Sequence, residues 1–278
     1  MNRLQKTGLI YLYLLPLVVA VIGFGIGKVS CYIYIPLWTL NACLISLSVW
    51  QLIKSGRNDS KVKFSSWTSA GLLLIMPWML FSIFAGMGPP PVTMEGWLAT
   101  STEQQIRYTI LIFGGVFALM GFALLKTKLQ DQGERIYSVL GYSVLEVAIP
   151  LFILNMAFWG YYLTSVFQFF VTLPAGTRPD WYPPVKATFY VISVVEVALI
   201  YFATFFFAFA LKKANILSIR ASRYYIFIAI AGILLVLIPS SWPEPFSTAG
   251  YLAAIPAIPF IMPYLMGVHL LRFNTILD

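Results

Sequence analysis

The sequence predicts an all-α polytopic membrane protein with about eight transmembrane helices. Three observations carry that expectation. Of the 278 residues, 60% are hydrophobic and only 10% are charged, against about 25% charged in a soluble domain. The mean hydropathy is +0.84. Apolar runs of about 20 residues, the length that crosses a hydrocarbon core, recur along the whole chain. Almost no mass remains outside the bilayer, so residues 1–278 read as a single integral membrane domain.

The expected spans run at about 8–27, 31–53, 67–87, 105–125, 137–163, 185–211, 223–240 and 248–271. The first begins "MNRLQKTGLIYLYLL" and is read as a retained helix, because its core is long and another span follows at once. The fifth is long enough to tilt or to extend past the lipid. The eighth holds Pro256, Pro259 and Pro263 and is expected to be broken or strongly kinked. "GFGIG" (23–27) and Gly114–Gly115 permit close helix approach, and Asn41 and Asn155 are expected to bond between helices. Cys31 and Cys43 on the second span lie about 18 Å apart at 1.5 Å per residue, beyond disulfide reach, and read as small apolar fillers.

Charge sets the expected orientation. Fourteen of the eighteen basic residues flank the start of span one, the loops after spans two, four and six, and the end of span eight. Only Lys28, Arg107, Arg178 and Lys186 fall on the other side. The positive-inside rule then places both termini in the cytoplasm of a cell (inner) membrane. The net charge of +8 follows from this asymmetry; the basic face meets membrane lipids, and nucleic acid is not an expected partner. Trp97, Trp181, Tyr182 and Trp242 in the opposite loops fit an interfacial aromatic belt.

"LMGFALLK" (119–126) and "LMGVHLLR" (265–272) echo each other at the ends of spans four and eight. With the short basic loops after spans two and six, they suggest a 4+4 tandem repeat with halves 1–130 and 131–278.

Two acidic residues stand inside apolar runs: Glu146 in "SVLEVAIP" and Glu196 in "SVVEVALI". A charge at mid-bilayer costs about 2.5–3.5 kcal/mol on insertion scales. From the expected boundaries, both lie near the midplane of a core about 30 Å thick, on consecutive antiparallel helices. At least one is expected to hold its proton at neutral pH. Pro150 removes a donor for the carbonyl of residue 146 and is expected to kink the helix there. Tyr142 and Ser143 lie one turn before Glu146, and Ser193 one turn before Glu196. Glu146, Glu196, Tyr142, Ser143, Pro150 and Ser193 thus form the candidate ligand- or proton-binding set.

No metal or cofactor is expected. His269 is the only histidine, so bis-histidine haem ligation has no second ligand; it is read as an interfacial polar tip. No GxSxG, HExxH, CxxC or Asp-rich cluster is present, which weighs against hydrolase and prenyl-transfer chemistry. The expected function is transport-type or ligand-binding, through a polar midplane pocket for a small molecule or proton. The alternatives are a non-catalytic subunit or quinone- or lipid-binding anchor, with a protein partner on the basic cytoplasmic face, and a lipid-modifying enzyme.

Overall fold

The computed structural model describes residues 3–55, 66–174, 177–239 and 241–277. Among them the chain is helical, with no strand. Helices α1 (Arg3–Gly25), α2 (Cys31–Ser55) and α3 (Ser66–Phe81) come first, followed by short α4 (Phe84–Met87) and α5 (Met94–Ala99). Then come α6 (Ser101–Asp131), α7 (Ile136–Ala157), a π-helical turn (Phe158–Tyr162) and α8 (Leu163–Phe170). The chain closes with α9 (Tyr182–Lys213), α10 (Ile219–Val236), α11 (Phe246–Ala254) and α12 (Ile261–Leu277), the last preceded by a 3-10 turn at Ile258–Phe260. Seven of these segments are long and apolar enough to cross a membrane, and α11 and α12 pass the same test only as a pair, bent by 67°. This is a multi-pass membrane architecture, and the break falls among the three prolines of span eight.

Local chemistry sets the turns. The α6–α7 connection is tight because Gly133 takes φ +85°, open to a residue without Cβ. Glu134 then closes the start of α7, its two carboxylate oxygens accepting from the backbone N–H of Tyr137 (2.9 Å) and Ser138 (3.0 Å). Ser218 caps α10 in the same way, accepting from Ala221 N–H at 3.2 Å.

The bundle is built around α3, α6, α7 and α9, with α12 packed on α3 and α10 on α9. Small residues allow this closeness, since lipid gives helices no hydrophobic reason to associate and contact must come from fit. A Cβ at Gly114 would lie 2.3 Å from the Phe81 ring, and one at Gly267 would lie 2.7 Å from the Gly71 carbonyl. The glycines of the two Leu-Met-Gly echoes both meet α3, Gly121 at Leu74 and Gly267 at Gly71. At the centre, Phe260 sits 5.4 Å from Phe81 and 5.2 Å from Phe152, ring to ring. The "GFGIG" expectation holds less well. A Cβ at Gly23 would meet Ala85 at 3.4 Å, while one at Gly25 or Gly27 would meet nothing within 4 Å.

Asn41 does bond between helices, donating to Ser82 Oγ at 2.9 Å and accepting from the Tyr11 hydroxyl. Cys31 and Cys43 are free and exposed, on the outside of α2 rather than filling space within the bundle. His269 is not a simple surface tip. It packs edge-on to Tyr13 (5.4 Å) and hydrogen bonds with Tyr225 at 3.3 Å. Of the basic positions counted after span two, Arg57, Lys61 and Lys63 lie outside the described residues.

Candidate functional site

The two intramembrane acids part company. Glu196 is fully buried on α9 and accepts a hydrogen bond from Asn155 Nδ2 at 2.9 Å. Glu146 is exposed on the outward side of α7, as are Ser143 and Pro150. Tyr142 is half-buried, with Lys126 Nζ 4.4 Å above its ring. The structure therefore does not bring Glu146, Ser143 and Pro150 together with Glu196 and Ser193. Helix α7 also runs unbroken through Pro150 to Ala157, and its departure from α geometry comes at Phe158–Tyr162.

Span length explains the misplacement. The fifth span is 35 residues, Ile136–Phe170, not the expected 27. At 1.5 Å per residue, Glu146 lies about 15 Å from one end and about 36 Å from the other. Glu196, about 21 Å and 26 Å from the ends of its own span, does stand near the middle, and the residue at matching depth across from it is Asn155.

A cavity lies elsewhere, toward the end of the bundle opposite the termini. It has a volume of about 430 Å³, within the roughly 300–1,000 Å³ of small-molecule pockets. Its walls come from α1, α3, the 84–90 turn, α6, α9 and the break between α11 and α12. Tryptophans Trp78, Trp97 and Trp159 and the ring of Phe81 dominate it, and Arg107 is the one charged residue lining it. Ser193 is the single member of the expected set on this wall.

Each wall element is held in place for a local reason. Thr93 caps α5 through Gly96 N–H (3.1 Å), and Trp97 on that helix donates Nε1–H to Thr164 Oγ1 at 3.0 Å. Trp97 is 4% exposed, so it is not part of an interfacial belt; Tyr182 is buried too, while Trp181 and Trp242 are exposed as a belt requires. Trp159 lies in the π-helical turn, where the extra residue per turn redirects side chains, a feature that recurs at functional sites. Gly160 in that turn lets Tyr108 approach, since a Cβ there would lie 2.6 Å from Tyr108 Cβ.

The 84–90 turn depends on Gly88, whose φ is +65° and whose missing Cβ would stand 2.7 Å from the Lys28 backbone nitrogen. Val29 N–H bonds to Gly86 O at 2.9 Å, and Lys28 Nζ reaches Glu103 Oε2 at 2.6 Å. The α1–α2 turn is thereby tied to both the 84–90 turn and α6. Arg107, one turn beyond Glu103, donates Nη2–H to the carbonyls of Gly88 (2.7 Å) and Met87 (3.4 Å). Its guanidinium also lies 5.5 Å from the Phe84 ring centroid.

The cavity reaches the surface. Phe24, Tyr190 and Tyr251 line it and are 58%, 55% and 64% exposed. The rim is thus bordered by α1, α9 and α11, and Tyr190 stands about 12 Å inside its span at 1.5 Å per residue. Among the described residues, no group of three or more His, Cys, Asp or Glu could hold a metal.

Arg107 and Trp97 were counted from sequence only as an outer basic residue and a belt aromatic. The available signal was Arg107 itself, the basic residue set within the apolar reach of span four, four residues after Glu103. Compared with family models, curated proteins and solved structures, the chain matches none.

Proposed function

We propose that this integral membrane protein binds an amphiphilic small molecule taken laterally from the bilayer into the aromatic cavity. One observation carries the reading: a cavity of about 430 Å³, walled by three tryptophans, is bordered by the exposed rings of Phe24, Tyr190 and Tyr251 on α1, α9 and α11, with Tyr190 about 12 Å inside its helix. Apolar rings that border a cavity at this depth suit a guest that partitions into the bilayer first. The positive-inside rule supports placing the end that carries the termini in the cytoplasm, so that the cavity opens into the outer half of the membrane.

The test uses the full chain in detergent or nanodiscs. A brominated amphiphile quenches tryptophan at short range, and Trp78, Trp97 and Trp159 report occupancy directly. Saturable quenching is expected in the wild type and is lost in Ala20→Phe, which puts a ring into the cavity from α1. Quenching that rises without saturation, identically in both proteins, rejects the reading.

A further inference from the structure

Two residues of the cavity wall each carry a buried hydrogen-bond donor without an acceptor. Arg107 is 7% exposed and Trp78 is 2% exposed, and both line the cavity. Arg107 Nε and Trp78 Nε1 are buried without a partner. Neither atom can do anything but donate. A buried donor without an acceptor costs about 1–3 kcal/mol, and more on a charged group. The other orphaned buried polar atoms among the described residues sit on Tyr13, Glu103, Gln104, Asn155 and Glu196, none of which lines the cavity.

Arg107 also lacks a carboxylate in direct contact, with Glu103 acting on it only from a distance. Glu103, the acid one turn before it, is engaged by Lys28 at 2.6 Å. Among the described residues no carboxylate lies within ion-pair distance of Arg107. The Met87 and Gly88 carbonyls and the Phe84 ring offer partial charges only. They account for Nη2 and for the position of the 84–90 turn, not for Nε or for the net positive charge. A cation held among apolar groups without a counter-ion is costly, and such a residue inside a membrane is retained for what it binds. Arginine is also the side chain whose planar fork matches an oxyanion with two parallel bonds.

We infer that the cavity recognises an amphiphilic oxyanion, an apolar body with one carboxylate or phosphate head, and that Arg107 and Trp78 hold the head. This rests on the cavity being a binding site and adds the charge of its ligand. The aromatic wall takes the body; the head supplies the acceptors that Nε and Nε1 lack and a negative charge in direct contact with Arg107. Neutral and cationic amphiphiles of the same length gain the wall contacts without either term.

The experiment compares heads on one body at pH 8: 9,10-dibromostearate, the corresponding dibromo alcohol and the corresponding lysophosphatidate, each titrated against the full chain with half-saturation as the readout. Wild type is expected to prefer the anions over the alcohol by about tenfold or more, the ratio given by roughly 1.4 kcal/mol. Arg107→Gln is expected to bring the ratio of alcohol to anion half-saturation close to one; Arg107→Lys keeps part of the preference. The stronger of the two anions identifies the head as a free carboxylate or a lipid phosphate. Because Arg107 also holds the 87–88 carbonyls, Trp78→Phe serves as a second variant that leaves those bonds intact and is expected to weaken the anions selectively. Equal half-saturation for acid and alcohol, or an anion preference that survives both Arg107→Gln and Trp78→Phe, overturns the inference while leaving the cavity a binding site. Absence of saturable quenching by all three probes removes the site itself.

Discussion

The first and sixth spans are equally apolar and are used in opposite ways. The most apolar stretch of α1 and that of α9 share a mean hydropathy of 2.2, yet 22% of the first is buried within the bundle and 56% of the second. Leu14, Leu17 and Val21 of α1 point outward at 51%, 64% and 63% exposure, while Ala203, Ala208, Ala210 and Glu196 of α9 are completely enclosed. In water such a difference would show as a polar face on the outer helix. In a bilayer both environments are oil, so hydropathy says only that a helix spans. What separates the two is small residues where helices touch and a polar group that finds a partner. The same rule separates the two acids: Glu196 faces inward onto Asn155, whereas Glu146 faces out.

The comparison breaks most readily at the glycines. Gly114→Leu drives a side chain into the Phe81 ring and is expected to cost about 3 kcal/mol or more, the upper part of the overpacking range. Gly25→Leu on α1, with nothing within 4 Å, is expected to stay within about 0.5 kcal/mol. Thermal unfolding in detergent, followed by tryptophan emission, checks both; equal losses would show that α1 is packed as tightly as the centre. Asn155→Leu comes next. It takes the donor from a buried carboxyl and is expected to cost about 1–3 kcal/mol. Adding Glu196→Met should recover most of that loss, because an apolar pair replaces a polar one. Glu146→Gln is expected to change unfolding little, and a larger loss there than in Asn155→Leu reverses the assignment of the two acids.

The smallest effect lies outside the spans, just before α11. Glu244 accepts hydrogen bonds from Thr248 and Ser247, which hold its carboxyl below the ordinary carboxylate value. A depressed folded-state value means that the contribution is present above the unfolded value of about 4.3 and fades as pH falls through the lower folded value. The unfolding midpoint of wild type should therefore converge on that of Glu244→Gln as the buffer is acidified. A separation that widens toward acid contradicts the bonding at this corner.

Much of the architecture was legible in the residues because a bilayer enforces it. Every backbone polar group in lipid must be satisfied within its own helix, so long apolar runs had to become spans, and the prolines of span eight had to break theirs. Asn41 and Asn155 were legible as bonding residues because an amide in oil requires a partner. The partner itself was not. Glu146 drew attention from its sequence setting, but a fifth helical segment of 35 residues has its middle near Asn155, and the rotation of α7 turned Glu146 outward. Trp97 looked like a belt residue because it lies in a loop on the less basic side; its bond to Thr164 holds it inside.

The sequence alone determined that the chain crosses the membrane about eight times and which end gathers the basic residues, because composition and length act locally and need no knowledge of neighbours. Only the tertiary structure decided which helices form the centre, which acid is enclosed, and that Arg107 stands on an aromatic cavity with no carboxylate among the described residues in ion-pair contact. Those outcomes depend on helix rotation and on which surfaces meet, and in a solvent as apolar as the residues themselves, no pattern of hydrophobicity records either.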